Sequence, residues 1–303
     1  EMKRSVKITL IIAAALVGLG ACLAAVGFGM GGRLSQLRGL QLDPATGTWR
    51  QTETDLAIED GYTGGELTVP AEGITDLRID WTAGSVTVLT TDDADVVVTE
   101  RVARSISKKY AMKITADGTL VISDDSDPLS NVMSNFPERK LTVRLPRSVA
   151  ENLTTVQLNG VSADFNVGML TIKENFTFDS TSGNLETDFL TADGASAALN
   201  TVSGDVDLAG SFRQVTGSST SGDYDLVLQS CPAKLDLGTT SGDVEIELPR
   251  GTGFTLQYDT VSGELESDFA MKRSGDTSFI CGNGGGSIHA ETTSGDLSLE
   301  YAD

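Results

Sequence analysis

One short pattern recurs through the second half of the chain: Ser180-Thr-Ser-Gly-Asn-Leu-Glu-Thr187, Thr201-Val-Ser-Gly-Asp-Val-Asp-Leu208, Thr220-Ser-Gly-Asp-Tyr-Asp-Leu226, Thr240-Ser-Gly-Asp-Val-Glu-Ile246, Thr260-Val-Ser-Gly-Glu-Leu-Glu-Ser267 and Thr293-Ser-Gly-Asp-Leu-Ser-Leu299. Its glycines fall at 183, 204, 222, 242, 263 and 295, with spacings of 21, 18, 20, 21 and 32 residues. A near-constant period of this size marks stacked supersecondary units, none of which can bury its apolar face alone. Inside each unit the period is two. Tyr224, Leu226 and Leu228 alternate with Asp225 and Val227; Val244, Ile246 and Leu248 alternate with Glu245 and Glu247; Phe254, Leu256 and Tyr258 alternate with Thr255 and Gln257. That is strand periodicity. Ser-Gly-Asp then reads as a corner between two short strands, with Gly at positive φ, Asp tolerating the same region and Ser facing the narrow inside of the bend. Stacking such turns at about 4.8 Å pairs every backbone group above and below and lines up one core. The expected fold is all-β, a β-solenoid with turns of about 20 residues.

The long last interval carries extra residues, among them Cys281-Gly-Asn-Gly-Gly-Gly286, and reads as a loop or hairpin inserted in one turn. Weaker copies precede the series at Leu158-Asn-Gly-Val-Ser-Ala-Asp-Phe165 and Ala83-Gly-Ser-Val-Thr-Val88. Residues 73–150 read as earlier, less regular turns, with strands at Leu77–Trp81, Val86–Val88, Val96–Val98, Lys113–Ile114, Leu120–Ile122 and Leu141–Leu145. The polar stretch from Gly47 to Gly73 holds one strand around Leu67–Val69 and is expected to cap the first turn, because an open end would leave a free sheet edge.

Charge separates the chain into unlike parts. The 303 residues carry 43 acids against 22 bases, net −21, which excludes an obvious nucleic-acid binder, since phosphate binding rests on Lys and Arg. Residues 1–38 are net +4, residues 39–150 net −7 and residues 151–303 net −18. Ile8 to Gly32 holds no charge for 25 residues, enough to span a bilayer as a helix. Lys3, Arg4 and Lys7 before it favour a cytoplasmic N-terminus, although Arg33 and Arg38 follow. A cleaved signal peptide is the competing reading, but its apolar core is usually about 7–15 residues. Leu19-Gly20-Ala21-Cys22 is similar to a lipidation box, yet the sequence after Cys22 stays apolar rather than opening a polar tether. The expected organisation is a cytoplasmic stub at 1–7, a transmembrane signal anchor at 8–32, a linker at 33–46 and an extracytoplasmic solenoid at 47–303.

These features together resemble the bacterial putative-adhesin family, a β-solenoid domain of unknown function. The resemblance rests on the Thr-x-Ser-Gly-Asp corners, the Arg144-Leu-Pro146 strand end, Gly282-Asn-Gly284 followed by a last Ser-Gly-Asp296 corner, and the single N-terminal apolar segment. It covers roughly residues 47–303. It implies a right-handed coil and an exported protein of the cell envelope, some members being encoded near envelope-stress systems. It carries no active site.

Candidate sites follow from the same pattern. Asn184, Asp205, Asp223, Asp243, Glu264 and Asp296 hold one corner position and should form a ladder. Calcium favours stacked oxygen ligands, but solvated turn carboxylates explain the ladder more simply. The corner Ser and Thr hydroxyls are read as bonding one another and the backbone rather than a glycan. Arg101, Arg104, Lys108, Lys109 and Lys113 form a basic cluster, read as a solvated face with an anionic polymer as the sharper alternative. Cys231 and Cys281 are read as two separate buried thiols unless the 270–290 insertion folds back far enough to join them. His289 is the only imidazole, and the sequence names no partner for it. Scattered Lys173, Arg213, Lys234, Arg250, Lys272 and Arg273 give a polysaccharide-acting enzyme little to work with. No residue is assigned to catalysis, a cofactor or a metal. The expectation is non-enzymatic binding of a protein or glycan at the envelope, with a role in envelope-stress sensing as the alternative.

Overall fold

The computed structural model describes residues 40–42, 49–51, 62–106, 112–124 and 138–302. The expected anchor at 8–32 lies outside the described residues, and among those described no helix is long and apolar enough to cross a membrane. Strands β1 (Leu40–Leu42) and β2 (Trp49–Gln51) form a separate antiparallel pair. The main body runs β3 (Tyr62–Val69), β4 (Asp76–Thr91), β5 (Val96–Ile106), β6 (Lys113–Asp117), β7 (Thr119–Ser123), β8 (Arg139–Pro146), a short helix α1 (Arg147–Ala150) and β9 (Leu153–Val167). It continues with β10 (Leu170–Asp179), β11 (Leu185–Thr187), β12 (Leu190–Asn200), β13 (Val206–Ser218), β14 (Tyr224–Leu228), β15 (Lys234–Gly238) and β16 (Val244–Leu248). The last strands are β17 (Phe254–Thr260), β18 (Leu265–Ser267), β19 (Met271–Arg273), β20 (Ser278–Cys281), β21 (Gly286–Thr292) and β22 (Leu297–Tyr301).

In β4 and from β9 onward the architecture is the solenoid that the repeats imply. Each turn contributes two strand segments, and equivalent segments of neighbouring turns pair in parallel. One inward column runs Val86, Phe165, Leu185, Val206, Tyr224, Val244, Leu297, Leu265. The facing column runs Ile79, Leu158, Phe178, Leu199, Gly217, Leu237, Ala290, Tyr258. Almost all of these side chains are buried, and each large one contributes about 1.5–3 kcal/mol through the water it leaves behind. The columns compensate for one another. Tyr224 is the largest side chain of its column, and it fits because Gly217 opposite has none: a Cβ there would lie 2.8 Å from Leu237 Cδ2 and 3.0 Å from Tyr224 Cε1. The Tyr224 hydroxyl donates to the Leu199 carbonyl at 3.0 Å, so its polar tip is satisfied inside the core.

The corners are built differently from the sequence expectation. None of Gly183, Gly204, Gly222, Gly242, Gly263 or Gly295 has positive φ. Glycine is required by close approach instead: a Cβ on Gly242 would sit 2.1 Å from the Gly222 carbonyl oxygen, and the other five meet a backbone oxygen of the adjacent turn in the same way. Ser182 and Ser241 are exposed rather than turned inward. The inward hydroxyl belongs to the residue three before the glycine, which accepts the glycine N–H: Ser180 for Gly183 at 2.9 Å, Thr201 for Gly204 at 2.8 Å, Ser219 for Gly222 at 2.7 Å, Thr239 for Gly242 at 3.0 Å, Thr260 for Gly263 at 2.8 Å and Thr292 for Gly295 at 2.8 Å. That hydroxyl occupies the place of a missing ladder partner at the bend.

Turn order in space departs from turn order in the chain. β21 lies between β15 and β17, and β22 lies between β16 and β18. The corner glycines therefore stack 222, 242, 295, 263. The insertion that lengthens the last interval is the antiparallel hairpin β19–β20, whose second strand covers the outer edge of β17. Phe254, Phe269 and Tyr301 close this end, with ring centroids 5.3 and 4.5 Å apart in turn and the Arg250 guanidinium 4.2 Å over Tyr301.

The N-terminal end is only partly coil. β7 and β8 together make the turn before β4, both parallel to it. β5 then adds antiparallel to β8, β3 antiparallel to β5, and β6 antiparallel to β7. Residues 73–150 are thus not simply less regular turns, and the strand expected around Leu67 is the outermost strand of this cover.

Candidate functional site

The corner acids form the ladder that the spacing implies. Each side chain accepts the backbone N–H of its neighbour in the stack: Asn184 N–H on Asp164 Oδ1 (3.0 Å), Asp205 on Asn184 (2.9 Å), Asp223 on Asp205 (3.1 Å), Asp243 on Asp223 (2.8 Å), Asp296 on Asp243 (2.7 Å) and Glu264 on Asp296 (2.7 Å). One oxygen per corner is therefore committed to holding the next turn. Among the described residues no three His, Cys, Asp or Glu side chains are grouped as a metal site would need.

Two residues further on, a second column faces outward: Asn166, Glu186, Asp207, Asp225, Glu245, Ser298 and Glu266. The two columns run side by side along one flat parallel face. Partial burial pushes Asp207 above the ordinary carboxylate range, with Asp225, Glu186 and Asp205 adding to it. Burial followed by Glu300 does the same for Asp225, and burial followed by Asp225, Glu300 and Glu247 for Glu245. The face thus holds like charges at strand spacing against their own repulsion.

A different constellation seals the N-terminal end, and sequence reasoning missed it. Arg139 is 2% exposed, with Nε donating to Glu100 Oε1 at 2.7 Å and Nη1 to Asp124 Oδ2 at 2.6 Å. Its guanidinium lies 4.4 Å over the Trp81 ring. Glu100 Oε2 accepts from the Tyr62 hydroxyl at 2.7 Å and from the Met112 N–H at 3.2 Å; Asp124 Oδ1 accepts from the Thr82 hydroxyl at 2.9 Å. Burial, then the bond to Glu100, pushes the Tyr62 hydroxyl well above its usual range. Gly84, at φ +100°, passes directly against the Arg139 carbonyl, so Arg139 stands where another corner would stack. No periodicity marks these residues, because they come together once, from β3, β4, β5, β8 and the segments at Met112 and Asp124.

His289 has partners after all. On the outward face of β21 its Nδ1 is 2.8 Å from Asp236 Oδ1 and its Nε2 is 3.6 Å from Asp259 Oδ2, one carboxylate on each flanking turn. Lys234 also pairs with Asp236 at 2.7 Å. Burial alone would push Asp236 up, but its bonds to Lys234 and His289 outweigh it and hold the carboxyl below the usual range.

Against known families, residues 74–300 match Toastrack DUF4097. The chain belongs to the Toastrack family. Among solved structures, a putative adhesin from Bacteroides fragilis is 14% identical, with 78% of this chain and 96% of that one covered at a TM-score of 0.47. A putative lipid binding protein from Parabacteroides distasonis is also 14% identical, covering 81% and 99% at 0.38. A putative cell adhesion protein from Clostridium sporogenes is 11% identical, covering 79% and 99% at 0.34. These are low similarities, and the solenoid assignment rests on the hydrogen-bond ladders above. No curated protein matches.

The remaining expected residues sort as follows on the Toastrack coil. Arg101, Arg104 and Lys113 are exposed, on β5 and β6, while Lys108 and Lys109 lie outside the described residues. Cys231 and Cys281 are both free thiols. Burial, then the neighbouring Cys281, pushes Cys231 up to about 11, and burial also raises Cys281. The joint after the insertion passes close to Cys231, whose Sγ lies where a Cβ on Gly286 would stand. Burial thus disfavours the thiolate at both positions.

Proposed function

We propose that this Toastrack chain is a membrane-anchored, extracytoplasmic binding module without catalytic activity, which recognises a repetitive envelope polymer or protein through its flat acidic face. The observation that carries the reading is the outward column Glu186, Asp207, Asp225, Glu245 beside the corner ladder: side chains of one chemistry repeat at the strand spacing, along a surface with no need to close around a small substrate. Such a face complements a partner that repeats cationic or hydroxyl groups along its length. The anchor belongs to the proposal through the uncharged run at 8–32, and a right-handed coil through the preference of parallel crossovers.

The test is binding of the purified chain to isolated envelope polymers at graded salt. Changing Asp207 and Asp225 to Asn and Glu245 to Gln together should weaken binding at least tenfold and flatten its salt dependence. Unchanged binding by a folded triple variant rejects the face. Induction by wall-active agents, with no polymer bound, would favour the sensing role instead.

A further inference from the structure

The C-terminal turn, β21–β22, is, like β4 at the other end, an element whose place in the stack is not set by its place in the chain. It sits between the turn made by β15 and β16 and the turn made by β17 and β18, although it follows both in sequence. Its bonds to each wall are those found between the other glycine corners. Gly295 approaches the Gly242 carbonyl as Gly263 approaches that of Gly295, and the Asp296 and Glu264 N–H groups each find the neighbouring corner carboxylate at 2.7 Å. The two walls also carry the same motif as each other at a 21-residue spacing, so β17–β18 stacked directly on β15–β16 would repeat the same bonds. His289 clasps Asp236 on one wall and Asp259 on the other, and a His289 from any copy of the chain would do so equally. The joint leading into the turn is Gly282-Asn-Gly-Gly-Gly286, with positive φ at Gly282 and Gly284.

We propose that residues 286–302 are an exchangeable strand–corner–strand, and that the slot between the flanking turns accepts the same turn from a second copy of this chain. In an isolated molecule the short joint keeps the turn at high effective concentration, of order mM, so the slot is filled from within. Where copies are crowded and the end opens, reciprocal exchange preserves every ladder bond and joins two coils.

Glu245 and Ser298 are register partners across the slot, and adjacent parallel strands lie about 4.8 Å apart, within disulfide reach. Full-length Glu245→Cys and Ser298→Cys variants, with Cys22, Cys231 and Cys281 replaced by Ala, are mixed, held in urea just below the unfolding midpoint, returned to buffer and oxidised. The mixture should give a disulfide-linked dimer several-fold above either variant alone on a non-reducing gel. Both substitutions in one chain should oxidise internally. Internal oxidation without any mixed dimer overturns the exchange, and failure of the internal bond overturns the slot itself.

Discussion

The two ends of the coil solve one problem in opposite ways. A stacked sheet that stops leaves open hydrogen bonds and an exposed core. At the C-terminal end the chain folds an antiparallel hairpin along β17 and packs Phe254, Phe269 and Tyr301 on one another, so the seal is largely apolar, with Arg250 stacked on Tyr301. At the N-terminal end a guanidinium and two carboxylates are buried against Trp81, with antiparallel strands laid over them. An apolar seal tolerates imperfect fit. A buried charge cluster does not, because every charge removed leaves another uncompensated.

The largest expected effect breaks the charged end. Arg139→Met leaves Glu100 and Asp124 buried without their cation and should destabilise the chain by about 3–5 kcal/mol, read as a lower urea midpoint. Phe269→Leu at the apolar end should cost less, about 1 kcal/mol, because volume is largely kept. Equal losses at the two ends would erase the contrast.

Within the coil itself, Gly242→Ala forces a Cβ to within 2.1 Å of the Gly222 oxygen, backbone that cannot step aside without separating two turns. A loss of about 2–3 kcal/mol is expected in thermal or urea unfolding. Gly238→Ala, four residues away with nothing within 4 Å, should stay within about 0.5 kcal/mol. A smaller step tests the hydroxyl: Thr239→Val keeps shape but leaves the Gly242 N–H buried without its acceptor, costing about 1–2 kcal/mol, while Thr239→Ser should be milder because Ser180 and Ser219 hold the same place naturally.

The contrast also explains what could be read from the sequence. Each coil turn repeats local information, so the stack, the corner carboxylates and the inward columns all follow from spacing and period. The structural hydroxyl is legible too, since Ser or Thr stands three residues before all six glycines, although the Ser beside each glycine is the more conspicuous. What spacing cannot show is which turn stacks on which when every corner is alike, and so the swap of 295 and 263 was hidden by the regularity that revealed the coil. The Arg139 cluster was hidden for the opposite reason. Glu100, Asp124 and Thr82 meet it once, across distances in the chain with no period.

The acidic face offers the weakest handle on the comparison and bears most directly on binding. Asp207, Asp225 and Glu245 have folded pKa values raised above 3.8, 3.8 and 4.5 by burial first and by neighbouring acids second. In the window between each unfolded and folded value the folded chain holds more protons than the unfolded one, so stability falls as pH rises through it. Above the folded values the full penalty is present, and below the unfolded values it is gone. Acidification from neutrality should therefore stabilise the coil slightly, by no more than about 1 kcal/mol after solvent screening, and less in high salt. Asp236 acts with the opposite sign: its lowered pKa contributes stability above its unfolded value that is lost as pH falls through its folded value. Stability should thus pass through a shallow maximum in mild acid, measurable as melting temperature against pH. Asp225→Asn should flatten the rise on the alkaline side, because it removes both a penalised group and a charge that penalises Asp207 and Glu245; an unaltered profile would mean that the face carries no strain for a cationic partner to relieve.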